Sequence, residues 1–330
     1  MRAYTIRRLL LIIPTMFMVS IIVFMLVRFI PGDVIDMMMA QMQEQSGLGA
    51  DLTEEYLRHE MGLDQPLLVQ YGRWLGVWPQ EDGRISGVLE GDLGESLWKN
   101  ESISKEILQR LPVSLELGLI ALITGTLIAI PIGVYSAIRQ DTMGDYLGRT
   151  VAILAISLPS FWLGTMVIVY PSIWWGWTPS LEYIPIVQDF GANMIQFLIP
   201  GVIMGMVTSG TIMRMTRTMM LEVLMQDYIR TAWAKGLQER TIIVRHAMKN
   251  ALIPVITIGG MMVPFLISGT VIIEQIFCLP GIGRLMFEAL TQRDYPIITG
   301  INVVLSMVVL LMNLVVDVAY AWMDPRVQYR

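Results

Sequence analysis

The sequence predicts an all-α polytopic membrane protein with six transmembrane helices. Of its 330 residues 54% are hydrophobic and 15% charged, with a mean hydropathy of +0.58; such values describe a chain that lives in lipid. Apolar runs long enough to cross about 30 Å of hydrocarbon recur near 9–30, 113–138, 151–170, 194–213, 252–276 and 297–322. The charge is also sorted along the chain, so the net value of −5 conceals basic and acidic segments.

The first run follows Arg2, Arg7 and Arg8, as a signal peptide would. It is too long for a signal core, and Pro31-Gly32-Asp33 stands where a small-residue cleavage site belongs, so it reads as an uncleaved first helix, with residues 1–30 as one unit. Segment 31–111 carries many acids, among them Asp33, Asp36, Glu54, Glu60, Asp82, Glu90 and Glu95, with Trp74, Trp78 and Trp98 as apolar anchors. It reads as a small structured cap, helical in part at Met37-Met38-Met39 and over 67–78; a solvated acidic loop is the other reading. Residues 112–330 form the membrane core. Pro14, Pro131, Pro159, Pro200, Pro254 and Pro264 sit in or beside the runs, where neighbouring helices or a cavity must satisfy the freed carbonyls.

Between the fourth and fifth runs lies a basic stretch, 214–250, with Arg214, Arg217, Arg230, Lys235, Arg240, Arg245 and Lys249. Each would cost about 2.5–3.5 kcal/mol at the centre of a membrane helix, so the stretch is placed in water. Leu221, Leu224, Met225, Tyr228, Ile229, Ala232 and Trp233 still fall at helical spacing, an apolar stripe that the membrane surface, the rest of the chain or another protein must cover. These basics fall on the same side as Arg2, Arg7, Arg8, Arg139, Arg149, Arg326 and Arg330. The positive-inside rule then puts both termini and 214–250 in the cytoplasm, and 31–111 outside.

The full sequence holds no P-loop, dinucleotide fingerprint, nucleophile elbow or metal-ligand cluster; Cys278 is the sole cysteine, and nothing points to nucleic acid. Charges in the runs are Arg28, Glu116, Glu274 and Asp317, all near run ends. An ion-coupled transporter needs an ionisable group in the membrane; Asp317 is the best candidate, and its nearness to the cytoplasmic end favours a structural partner. Polar residues within the runs are candidates for a translocation path: Ser157, Ser160, Thr208, Ser209, Thr211, Ser268, Thr270, Asn302, Ser306 and Asn313, though helix–helix hydrogen bonding explains most such residues.

Tyr228 through Leu237 reads Y-I-R-T-A-W-A-K-G-L. It resembles the cytoplasmic E-A-A-x-x-x-G signature of permease subunits of ABC importers, in the form carried by the peptide/nickel family. Arg7-Arg8-Leu9-Leu10, Pro31-Gly32-Asp33, Gly62-Leu63-Asp64-Gln65-Pro66, Gln70-Tyr71, Trp74-Leu75, Gly91-Asp92-Leu93-Gly94, Pro280-Gly281-Ile282-Gly283-Arg284, Arg293-Asp294-Tyr295-Pro296 and Asp324-Pro325-Arg326 are similar to that family in the same order. Arg230 replaces the signature's Glu, and His246-Ala247-Met248-Lys249 replaces its I-x-L-P; both changes are usual in the peptide-permease subunit type with a large outer segment.

The resemblance implies the type I ABC importer permease fold in a prokaryotic inner membrane. It implies a non-catalytic subunit that moves dipeptides or oligopeptides, or alternatively nickel or another small solute. The implied partners are a second similar permease, two ATPase chains holding the ATP and magnesium, an extracytoplasmic binding protein, and lipid; this chain binds no cofactor. Tyr228, Arg230, Thr231, Ala232, Trp233, Lys235, Gly236, Leu237 and Arg240 would then dock an ATPase, with Ala232 and Gly236 small enough for close approach. Pro280, Gly281, Gly283 and Arg284 become candidates for an outer gate or a binding-protein contact. An ion-coupled transporter using Asp317 or Arg28 is the alternative class.

Overall fold

A computed structural model of the protein describes residues 2–28, 64–80, 83–180 and 182–323. The expectations for 31–33, 37–39 and 324–326 lie outside them. Helices α1 (Arg2–Arg28), α2 (Leu67–Leu75), α3 (Ile103–Ile138), α4 (Met143–Ser157), α5 (Ser160–Trp175), α6 (Phe190–Leu224) and α7 (Asp227–Ala234) come first. A helical turn, Glu239–Thr241, and a π-helical turn, Ile242–Ala247, lead into α8 (Met248–Met261). Then come α9 (Val263–Ser268), α10 (Thr270–Ile276), α11 (Ile282–Gln292) and α12 (Tyr295–Met323). Among the described residues there is no strand; one antiparallel bridge joins Glu95 and Ser102.

Among the described residues five helices are long and apolar enough to span a membrane, or up to six spans if α4 and α5 count as one. The run 151–170, expected as a single helix, is broken by a bend of 93° between α4 and α5. Leu158 is extended (φ −84°, ψ 124°), the conformation a following proline imposes, and Pro159 has no N–H to carry the helix on. Pro14, Pro131, Pro200 and Pro254 instead lie inside continuous helices. A second correction concerns 214–224. This part of the expected loop is the last three turns of α6, so Arg214 and Arg217 stand on a spanning helix.

The described residues pack as two compact units. One comprises Met1–Leu9, Leu111–Arg284 and Val308–Arg330. Here α6 packs on α4 and α8, and it meets α3 in a parallel seam. At Gly205 a Cβ would stand 2.7 Å from the Ala121 carbonyl, and at Gly125 one would stand 2.7 Å from the Gly205 carbonyl. Side-chain-free positions on both helices are what let the backbones approach this far. Thr124 Oγ1 donates across the seam to the Gly201 carbonyl (3.3 Å). Val113, Leu117, Phe197, Ile273 and Leu279 form one apolar cluster of this unit.

The other unit comprises Leu10–Arg110 and Leu285–Met307. Tyr71 bonds Ser20 (2.8 Å) and packs edge-on against Phe24, which also touches Trp74; the motif residues of α2 thus fasten it to α1. Gly91 and Gly94 take left-handed turns ahead of α3, and Ser104 Oγ donates to the Gly91 carbonyl (2.6 Å). Buried Asp294 accepts from Ser96 Oγ (2.6 Å) and from the Ile297 N–H at the start of α12 (3.4 Å).

Candidate functional site

The strongest candidate site is the turn-and-helix segment after α6. Met225 and Gln226 interrupt the helix, and Asp227 opens α7 in its first turn, where a negative charge suits the helix dipole. Ile229 and Ala232, three apart and so on one face, are buried at 0% and 7% exposure. They join a cluster with Val134, Ala137, Met220, Ile242, Ala247 and Ala251. Asn250 Nδ2 donates to the Tyr228 hydroxyl (2.8 Å). Gly236 ends the segment at φ +71° with its N–H on the Trp233 carbonyl (2.9 Å).

The opposite face is open. Tyr228, Arg230, Thr231, Trp233, Lys235, Gly236, Leu237 and Arg240 are all exposed. Three large apolar side chains among four cationic or polar ones, on an element nailed down from behind, suit an interface whose aromatic anchors supply the binding energy. Ala232 is the exception. It was expected to admit a partner, but its methyl faces its own chain, because the phase that buries Ile229 buries the residue three positions on.

Close behind lies a centre that the sequence reading missed. Asp145, fully buried on α4, receives Arg217 Nε and Nη2 of α6, each at 2.9 Å. Ser136 Oγ of α3 donates to the same carboxylate at very short range, the Asp141 N–H donates at 3.1 Å, and Arg149 pairs with it at 3.3 Å. One carboxylate thus ties α3, α4 and α6 together beside the cluster that seats α7. Arg149 and Arg217 had been taken only as orientation charges. The readable signal was Asp145 four residues before Arg149.

Of the candidates Pro280, Gly281, Gly283 and Arg284, the last three lie against a second buried carboxylate. Glu274 Oε1 accepts from Ser114 Oγ (2.5 Å), and Oε2 from the Arg284 N–H (2.9 Å). Ser114 Oγ in turn accepts from the Ile282 N–H (2.8 Å), and Arg284 Nη1 donates to the Cys278 carbonyl (3.2 Å). Buried Gly281 leaves no room for a side chain, since a Cβ there would overlap the Glu274 carboxylate. The glycines therefore face their own chain, which binds Glu274 to the segment before α11.

Five of the ten path candidates bond within their own stretch of chain. Ser157, Thr208, Ser209 and Thr270 donate to the carbonyls of Ile153, Gly205, Met206 and Ile267 on or next to their own helices (2.7–3.1 Å), and Asn302 to Ile298 (2.8 Å). Such back-bonding is how isolated hydroxyls settle in a helix. Ser160, Thr211 and Ser306 are half-buried and Asn313 exposed; the side chain of Ser268 lies outside the description. Asp317 takes Arg8 Nη1 at 2.9 Å, the structural partner its position suggested. Asp317→Asn is accordingly expected to keep most transport and to leave its energy source unchanged. Uptake abolished at normal membrane levels would return Asp317 to the role of an ion relay.

Residues 129–329 match the family model described as binding-protein-dependent transport system inner membrane component, and residues 1–118 match its N-terminal counterpart. The oligopeptide transport system permease protein AppB of Bacillus subtilis is 36% identical, and the dipeptide transport system permease protein DppB of Escherichia coli K12 is 33% identical, each alignment covering 100% of both chains. In fold, the chain is similar to a solved inward-facing structure of the MetNI methionine ABC transporter, with a TM-score of 0.53 and 16% identity over 67% of this chain and 97% of that one.

Proposed function

The chain belongs to the binding-protein-dependent transport system inner membrane component family, and from that premise we propose that it is the permease subunit of an ATP-driven peptide importer. The supporting relatives are a dipeptide and an oligopeptide permease aligned end to end with it. The observation that carries the reading is the fixed helix α7, buried behind at Ile229 and Ala232 and open in front at Tyr228, Trp233 and Leu237.

The chain has no phosphate-binding loop of its own, so in this reading ATP and magnesium are held by two partner ATPases that grip α7. A second, similar permease completes the membrane part, and an extracytoplasmic binding protein delivers the peptide. The charge distribution supports both termini and α7 in the cytoplasm. Hydrolysis drives transport only if the ATPases hold α7 differently in their closed and open states. The difference would pass from α7 through its apolar seat to α6 and α3, and through Asp145 to α4.

The test is a mild-detergent pull-down of the tagged chain, followed by uptake of radiolabelled dipeptide into vesicles holding the recovered complex. Co-purification of a P-loop ATPase and a second permease, with ATP-dependent uptake, is the expected result; a chain recovered alone, or uptake driven by an ion gradient, would overturn it. Gly236→Leu is expected to insert normally and to lose most of the bound ATPase. Among the described residues nothing beyond its chain neighbours lies within 4 Å of a Cβ at Gly236, so the new side chain would project at the proposed partner. Its left-handed backbone adds about 1–2 kcal/mol of local strain. Wild-type ATPase recovery with this variant would remove α7 from the interface.

A further inference from the structure

Helix α7 is short, and its attachment is uneven. Its eight residues make a rod of roughly 12 Å, held from behind by the buried side chains of Ile229 and Ala232. At about 100° per residue, Tyr228 and Trp233 fall on opposite flanks of that buried face. Contacts between apolar groups have no direction, so the seat alone leaves α7 able to roll about its own axis, and a roll carries the two flanks in opposite senses. Only the Tyr228 flank is tied. Asn250 Nδ2, in the first turn of α8, donates to the Tyr228 hydroxyl at 2.8 Å and reaches the His246 carbonyl of the π-helical turn at 3.5 Å. Among the described residues this is the one side-chain hydrogen bond that joins α7 to a spanning helix. The Thr231 hydroxyl turns back to the Asp227 carbonyl (2.9 Å), and Arg230 pairs with Asp227 of its own helix (3.5 Å).

We propose that Asn250 is a positioning residue for transport: its amide pins the Tyr228 flank of α7 to α8, so that a force on the open Trp233 flank turns α7 about the pin and pulls on α8. The inference rests on the reading that ATPases grip α7. Without the pin, the same force is spent in rolling α7 within its apolar seat. A hydrogen bond suits the task because it weakens steeply as its distance and angle depart from the optimum, which apolar burial does not. The pull enters the span Glu239–Ile267 near its cytoplasmic end, a route separate from those through α6, α3 and Asp145. Asn250 and Tyr228 are both exposed, so the bond can be removed with little effect on folding.

The experiment reconstitutes the full transporter in vesicles and measures ATP hydrolysed and radiolabelled dipeptide imported, side by side. Wild type is compared with Asn250→Leu, Asn250→Asp, Tyr228→Phe and the double variant Asn250→Leu with Tyr228→Phe. Leu keeps the shape of the amide without its donor, whereas Asp accepts from the Tyr228 hydroxyl and remakes the bond in the opposite direction. Asn250→Leu is expected to retain the ATPases and to hydrolyse ATP as the wild type does. Its dipeptide imported per ATP should fall about fivefold, the factor that one hydrogen bond of ordinary strength sets in an equilibrium. Tyr228→Phe should fall as far, the double variant no further, and Asn250→Asp should stand near the wild type. Hydrolysis and import lowered together in Asn250→Leu, with their ratio unchanged, would mark a merely structural residue and overturn the proposal. So would an Asp variant as uncoupled as the Leu variant, or loss of the ATPases from Asn250→Leu, which would place Asn250 in the docking face. Amide exchange of 227–234 in the full chain without ATPases is read in parallel and should quicken in Asn250→Leu. If it quickens while wild-type vesicles import nothing with ATP, the bond still fastens α7 but the importer reading falls, and the coupling role with it. If wild-type vesicles import with ATP at a ratio that Asn250→Leu leaves unchanged, the importer reading stands and the proposal alone falls.

Discussion

Asp145→Asn is expected to be the most damaging conservative substitution in the chain. It removes the charge that Arg217 engages with two nitrogens and that Arg149 faces at 3.3 Å. An arginine whose side chain is 17% exposed then loses the carboxylate it is bonded to and keeps only the more distant charge of Asp141, and breaking a buried pair from one side costs about 3–5 kcal/mol. Losses of this size lower the amount of folded protein in a cell many-fold. The double variant Asp145→Asn with Arg217→Gln should recover part of the loss, because only Arg149, whose side chain is 38% exposed, is then left without this partner. Membrane level and detergent melting temperature of the single and double variants are the measurements. A single variant that melts with the wild type would show that the ion pair holds nothing together.

Gly281→Ala is the second. A methyl group at this position must displace the Glu274 carboxylate, and with it the hydrogen bonds from Ser114 and from the Arg284 N–H. Overpacking alone costs about 1–3 kcal/mol, and a buried charge stripped of its donors adds about as much again. Gly281→Ala should fail to accumulate, and shortening the obstruction with Glu274→Ala in the same chain should restore the room, though not the bonds. Protease resistance of the two variants in isolated membranes decides the matter. If Gly281→Ala resists protease as the wild type does but uptake fails, the residue belongs to a gate after all.

What the sequence showed and what it hid divide along chain distance. The spanning helices follow from local composition, and α7 from its own ten residues. The break in 151–170 could have been read from Pro159, which acts on the residue next to it, but the run reads as one helix by composition alone. The bond from Arg217 to Asp145 was invisible because the two lie 72 residues apart, and charges summed by side of the membrane carry no record of pairing. The glycines of 280–284 looked like a gate because nothing local explains them; their reason is Glu274, brought close by a turn. The direction of Ala232 could have been read from its phase with Ile229, but the small side chain alone gave no sign of which surface it met.

The length of α6 has a mechanical side. At about 1.5 Å per residue, 35 residues make a rod of roughly 52 Å, against hydrocarbon of about 30 Å. With α7 seated at its end, a rod of this length would act as a lever. A pivot of about 5° anywhere near the Gly125–Gly205 crossing sweeps the docking end by some 2 Å and the Asn193 end by roughly as much in the opposite sense. On the proposed reading, a modest stroke by an ATPase that grips α7 would reach the far end of α6 with its direction reversed.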